Sequence, residues 1–190
     1  GTPVSLFRGG CAELMVTFED LCVPVFTSVS SVELAMLHDT GLAGLAATMT
    51  VAPVEPGADV VVLGAGPLGL SAIQGARIKG ATRIIAVDPI RYRRDVALKV
   101  GATVALDPNV ERGNLVLKIQ EICKAATDRP LAGGGNRGPD FVIEAVGGDL
   151  FPPKAEVGPD PTGILSLQQA WQLCSPSGHV VTTSGGAYQG

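Results

Sequence analysis

The stretch VVVLGAGPLGLSAIQGARIKGATRIIAVD, residues 60–88, limits the fold more than any other part of the chain. VVVLG (60–64) is a continuous, largely β-branched run without polar alternation, the pattern of a strand buried on both faces of a parallel sheet. Pro67 stands where a first helical turn tolerates proline. Residues 68–79 then read as a helix closed by Gly80 in the C′ position. RIIAVD (83–88) is a second buried run. Two such strands joined by a helix of this length pair in parallel through a right-handed crossover.

The alternation continues to the end of the chain. Pro89 opens a helix that stops at Gly101, and ATVALD (102–107) is a third, shorter strand. NLVLKIQEICKAAT (114–127) places Leu115, Ile119 and Ile122 at helical spacing. FVIEAVG (141–147), ILSLQQAWQLC (164–174) and HVVTTSG (179–185) read as strand, helix and strand. The expected fold class is α/β: a Rossmann-type parallel sheet with helices on both faces. RPLAGGGNRGP (129–139) and DLFPPKAEVGPDPTG (149–163) break the rhythm and read as long Pro/Gly loops. Upstream, CAELMVTFEDLCVPV predicts two short strands around a turn at Glu19–Asp20. SVSSVELAML (28–37) reads as a helix start capped by Ser30 or Ser31, and 39–52 as another helix.

Composition narrows the partners. Fourteen basic against eighteen acidic residues leave a net charge of −4, which argues against nucleic acid or an anionic membrane as the main partner. No apolar run approaches the roughly 18 residues of a membrane span, and no secretion signal is visible. Cys11, Cys22, Cys123 and Cys174 form no CxxC pair or zinc-ribbon spacing; reduced thiols in a cytoplasmic protein are expected.

Gly64-Ala65-Gly66-Pro67-Leu68-Gly69 is a GxGxxG lying between strand and helix, with Asp88 ending the next strand about twenty residues on. Each part has a physical task. Gly64 permits the tight turn, Gly66 removes a side chain where a pyrophosphate must approach, and Gly69 lets the helix lie close on the strand. The positive helix N-terminus attracts the phosphates. Asp88 would accept hydrogen bonds from an adenosine ribose and repel the 2′-phosphate of NADP, which favours NAD. Arg91, Arg93 and Arg94 pull the other way, since they could pair with that phosphate.

Residues 41–108 closely resemble the coenzyme domain of medium-chain, zinc-type alcohol dehydrogenases. CAELMVTFEDLCVPV looks like the segment closing that family's catalytic domain, and FVIEAVGG and SGHVVTTSGG are similar to its fourth and fifth coenzyme-domain strands. The resemblance implies residues 1–38 as the trailing catalytic-domain segment and 39–190 as the dinucleotide-binding domain, without its last strand. It implies Gly64, Gly66, Pro67 and Leu68 around the pyrophosphate and nicotinamide ribose, with Asp88 and Arg93 at the adenosine ribose. Ala145, Val146 and Gly147 would line the adenine and ribose edge, and Thr183, Ser184 and Gly185 the nicotinamide amide. For these last two groups the alternative is packing at strand ends.

Asp39 falls where the family places the third protein ligand of its catalytic zinc. Carboxylates are competent zinc ligands; read by itself, the same residue is a good N-cap for a helix over 40–52. An acid at 39 and the insertion after the fourth strand are also similar to the glutathione-independent formaldehyde dehydrogenase branch. The family's early cysteine, its GHE-type histidine motif and its structural zinc lobe do not occur in these residues.

The function implied is NAD binding for a zinc-dependent alcohol or aldehyde dehydrogenase, a homo-oligomer when full length, with these residues incompetent alone. The alternatives are an NADPH-dependent, zinc-independent quinone or enoyl reductase of the same superfamily, and a non-catalytic nucleotide-binding module.

Overall fold

The computed structural model describes residues 13–14, 16–111, 113–124, 138–146 and 164–183. The chain divides into two compact units, Gly1–Leu34 and Ala35–Gly190.

In the first unit the two predicted strands are not present among the described residues. A single 3₁₀ turn, Glu19–Leu21, stands there instead. A strand needs a neighbour to pair its N–H and C=O groups, and among the described residues no strand pairs with this segment. The helix start is as read. Ser30 Oγ accepts the Glu33 N–H at 3.3 Å, while the Ser30 N–H and hydroxyl donate to Glu33 Oε2 at 3.1 and 2.7 Å. This reciprocal capping box opens α1, Ser31–Met36. The Ser30 hydroxyl and N–H hold the Glu33 carboxyl below its ordinary value.

In the second unit the helical path runs through the π-helical stretch Leu37–Gly41, then α2 (Leu42–Ala46), then a second π-helical stretch, Ala47–Val51. The break expected at residue 39 does not occur. Asp39 sits inside the helical path, so its role as an N-cap is overturned. No proline interrupts 31–51, and at Gly41 the helix widens rather than ends.

The sheet consists of β1 (Asp59–Leu63), β2 (Arg83–Val87), β3 (Val104–Leu106), β4 (Phe141–Glu144) and β5 (His179–Thr182), all parallel, in the order β3-β2-β1-β4-β5. Among the described residues five helices accompany it: α3 (Pro67–Ile78), α4 (Arg91–Val100), the short α5 (Pro108–Glu111), α6 (Leu115–Lys124) and α7 (Leu165–Leu173). Alternate residues of each strand feed separate cores. Val60, Val62, Ile84, Ala86 and Ile143 pack with Ala72, Ile73, Ala76 and Ala97 on one face. Val61, Leu63, Ile85, Val87 and Val142 pack with Leu115, Ile119, Ala170 and Leu173 on the other. Burial on both faces is why these strands read as unbroken apolar runs.

Strands end sooner than their apolar runs. Helix α4 starts at Arg91 rather than Pro89, because Asp88 Oδ1 takes the Ile90 N–H at 2.7 Å and delays the first turn. Strand β4 stops at Glu144, whose side chain takes the Val146 N–H at 2.9 Å. Both loops read from the sequence lie outside the described residues, except Gly138 and Pro139. Among the described residues no helix is long and apolar enough to cross a membrane.

Candidate coenzyme-binding crevice

The chain runs β1 to β3 toward one edge of the sheet, then returns to build β4 and β5 on the other side of β1. β1 leads on to β2 and β4 to β5, away from each other, so the order reverses between β1 and β4, where sheets of this kind form a crevice. In open parallel sheets ligands bind at this switch point. The GxGxxG lies on it.

Gly64 follows β1 with φ +88°, a left-handed conformation that disfavours a side chain. A Cβ there would also stand 2.8 Å from the Ala145 carbonyl oxygen across the crevice. A Cβ on Gly69 would collide with the Gly64 carbonyl. Those two glycines make the turn and the helix approach possible. Gly66 differs: a Cβ there would meet nothing within 4 Å. Its missing side chain serves no internal packing. It leaves open space at the N-terminus of α3, where first-turn N–H groups have no partner inside the helix and the dipole is positive. An anion fits there.

Asp88 lies one residue beyond β2 and is almost fully buried. Its Oδ2 accepts the Ala65 N–H at 2.9 Å and lies 3.6 Å from Arg93 Nη1, and its Oδ1 accepts the Ile90 N–H at 2.7 Å. The acid is thus fixed against the glycine turn itself. A carboxylate offers about four acceptor sites, and the two N–H groups occupy only two of them.

On the far wall, Ala145 and Val146 follow β4, with Val146 exposed. The Ala145 N–H donates to Leu63 O at 2.8 Å. Thr183 follows β5 and is held to Glu144 O by its N–H and its hydroxyl, both at 3.0 Å. Gly147, Ser184 and Gly185 lie outside the described residues. Asp39 is exposed on the Leu37–Gly41 stretch, which packs against α3. Among the described residues no group of three or more His, Cys, Asp or Glu side chains could hold a metal ion.

Two features were missed in the sequence. Glu144 is buried at the crevice wall, where Oε1 accepts Val146 N–H and Ser166 Oγ, both at 2.9 Å, and Oε2 accepts Thr182 Oγ1 at 3.1 Å. A lone acid inside FVIEAV was the available signal. The other is the pairing of Arg94 with Asp107 at 2.9 Å, which links the ends of β2 and β3. A separate concavity of about 250 Å³, lined by Pro53, Glu55, Asp140, Phe141 and His179 among others, lies at the opposite, amino-terminal edge of the sheet.

A family model described as zinc-binding dehydrogenase matches residues 67–189, well over half of the chain. The chain belongs to that family. It corresponds to the coenzyme-binding domain of medium-chain, zinc-type alcohol dehydrogenases. Similar curated proteins include geraniol dehydrogenase of Castellaniella defragrans, 42% identical over 92 residues (48% of this chain, 22% of that protein). Alcohol dehydrogenase 1 of Pisum sativum is 40% identical over 86 residues (45% and 23%). The chain thus spans about a quarter of the length of these dehydrogenases. Among solved structures, benzyl alcohol dehydrogenase from Acinetobacter calcoaceticus superimposes with a TM-score of 0.68 at 27% identity (88% of this chain, 38% of that one). A zinc-binding dehydrogenase from Sinorhizobium meliloti, bound to NADP, gives 0.55 at 28% (79% and 36%).

Proposed function

We propose that this chain binds NAD and forms the coenzyme-binding part of a zinc-dependent alcohol or aldehyde dehydrogenase. The observation that carries the reading is the coupling of two features. Open space over Gly66 adjoins a helix N-terminus, and the Asp88 carboxylate is hydrogen-bonded to the intervening Ala65 N–H. A diphosphate on the first and a ribose diol on the second are the spacing that a dinucleotide presents.

In this reading Pro67, Leu68 and Gly69 bring the first turn of α3 to the diphosphate, and Asp88 with Arg93 holds the adenosine ribose. Ala145, Val146 and Gly147 line the adenine side. Thr183, Ser184 and Gly185 approach the nicotinamide amide. The coenzyme, when bound, accepts a hydride at its nicotinamide ring.

Zinc does not fit the described residues alone, because a catalytic zinc needs three protein ligands and no such group is present among them. Asp39 would supply one ligand, the others coming from elsewhere in the parent protein. These residues by themselves would therefore bind coenzyme without turnover. We place the parent protein in the cytoplasm, as an oligomer acting on a small alcohol or aldehyde.

Titration of the chain with NADH and NADPH, followed by coenzyme fluorescence, tests this. Micromolar NADH binding that is lost in Asp88→Ala supports it. Binding of neither coenzyme ends it, and a clear preference for NADPH would favour a zinc-independent reductase.

A further inference from the structure

Three arginines follow Asp88 within six residues, and in sequence each is a candidate partner for a coenzyme 2′-phosphate. The structure gives them different fates. Arg91 is 87% exposed and lies 3.9 Å from Asp95, one turn along α4. Arg93 is half-exposed beside the Asp88 carboxylate. Arg94 is mostly buried, donating one hydrogen bond to the Asp88 carbonyl oxygen at 2.7 Å and pairing with Asp107 Oδ2 at 2.9 Å.

Asp107 is itself fixed. Its Oδ1 accepts the Asn109 N–H at 2.9 Å, and its carbonyl accepts the Val110 and Glu111 N–H groups, so it caps α5. The acid that caps one short helix therefore holds the guanidinium that would otherwise be the nearest additional cation to the ribose acid. A charge-assisted, largely dehydrated pair of this kind is stronger than an exposed one.

We propose that Asp107 is a specificity-determining residue for the coenzyme: it sequesters Arg94, leaving Arg93 as the cation at the adenosine ribose and withholding the second positive charge that a 2′-phosphate would need. The proposal rests on the NAD-binding reading above. Asp107 acts through Arg94 and is a positioning residue, not a contact of the coenzyme.

The test is the ratio of NADPH to NADH affinity in the full chain. Asp107→Asn keeps a competent helix cap but removes the charge that holds Arg94. It should move the ratio toward NADPH by about tenfold, the equivalent of one ordinary ion pair. Arg94→Gln alone should change both affinities in parallel and leave the ratio as in the unmodified chain. The double variant Asp107→Asn/Arg94→Gln should also show the unmodified ratio. Because each ratio is taken on one sample, partial unfolding cancels. An unchanged ratio in Asp107→Asn, or a shift that persists in the double variant, overturns the proposal while NADH binding by the unmodified chain leaves the coenzyme reading intact. Failure of the unmodified chain to bind either coenzyme overturns both.

Discussion

Asp88 Oδ2 accepts the Ala65 N–H at 2.9 Å, joining the acid that ends one strand to the glycine turn that ends its neighbour, 23 residues earlier. The same carboxylate serves Ile90 from its other oxygen. This carboxylate is thereby a structural fastener, and in the proposed NAD-binding role its removal has two separable effects. Asp88→Ala strands two buried N–H donors and should destabilise by about 1–3 kcal/mol for each. Asp88→Asn keeps one oxygen acceptor and should cost less stability, yet still lose at least about tenfold in NADH affinity. Urea unfolding beside an NADH titration separates the two effects.

The motif glycines should divide by readout. Gly66→Ala meets open space, with φ −71° and ψ −174° that alanine adopts freely. Its melting temperature should match the unmodified chain, while coenzyme affinity falls. Gly69→Ala drives a methyl into the Gly64 carbonyl and should cost about 1–3 kcal/mol or more. Equal melting temperatures for the two variants would contradict this division.

Glu144 fastens the crevice wall by taking hydrogen bonds from Val146, Ser166 and Thr182. Glu144→Ala strands the Val146 N–H and the Ser166 and Thr182 hydroxyls and should destabilise by about 1–3 kcal/mol. Glu144→Gln should lose less, and both are measured as a shift in urea midpoint at constant slope.

Cys123 lies near the end of α6 and is buried in the core. Burial, and secondarily the Asp59 carboxylate, push its thiol up from 9.0 to about 11. The folded state keeps this proton longer than the unfolded state does. The thiol's contribution is therefore intact below pH 9 and is lost as the pH rises to about 11. Cys123→Ala should flatten that alkaline limb in a pH series of unfolding midpoints. With a thiol reagent at neutral pH, exposed Cys22 should react well before Cys123.

The sheet and its motif were legible because burial on both faces leaves unbroken apolar runs rich in β-branched residues, as in VVVL and IIAV. Local chemistry misled at Asp39-Thr40-Gly41. An acid followed by small residues has the composition of a helix start, yet the helical path passes through it. What holds the path there is tertiary: Gly44 sits against the Leu68 carbonyl and Gly75 against the Thr48 hydroxyl, where a methyl on either would collide. Near Glu19 the error ran the other way, since strand-like residues alone do not supply a partner strand. Glu144 escaped notice because its partners Ser166 and Thr182 are 22 and 38 residues away. The pairing of Arg94 with Asp107 escaped because nothing in sequence tells three neighbouring arginines apart.

The empty volume beside Gly66 has a bearing on descent. Positions 64 and 69 are constrained by their own backbone whatever the protein does, and a lineage that abandoned the nucleotide would still have to keep them. Only position 66 is released when the ligand is given up. In any collection of cousins, a bulky substitution there, with its two companions intact, should mark the members that have retired from redox work.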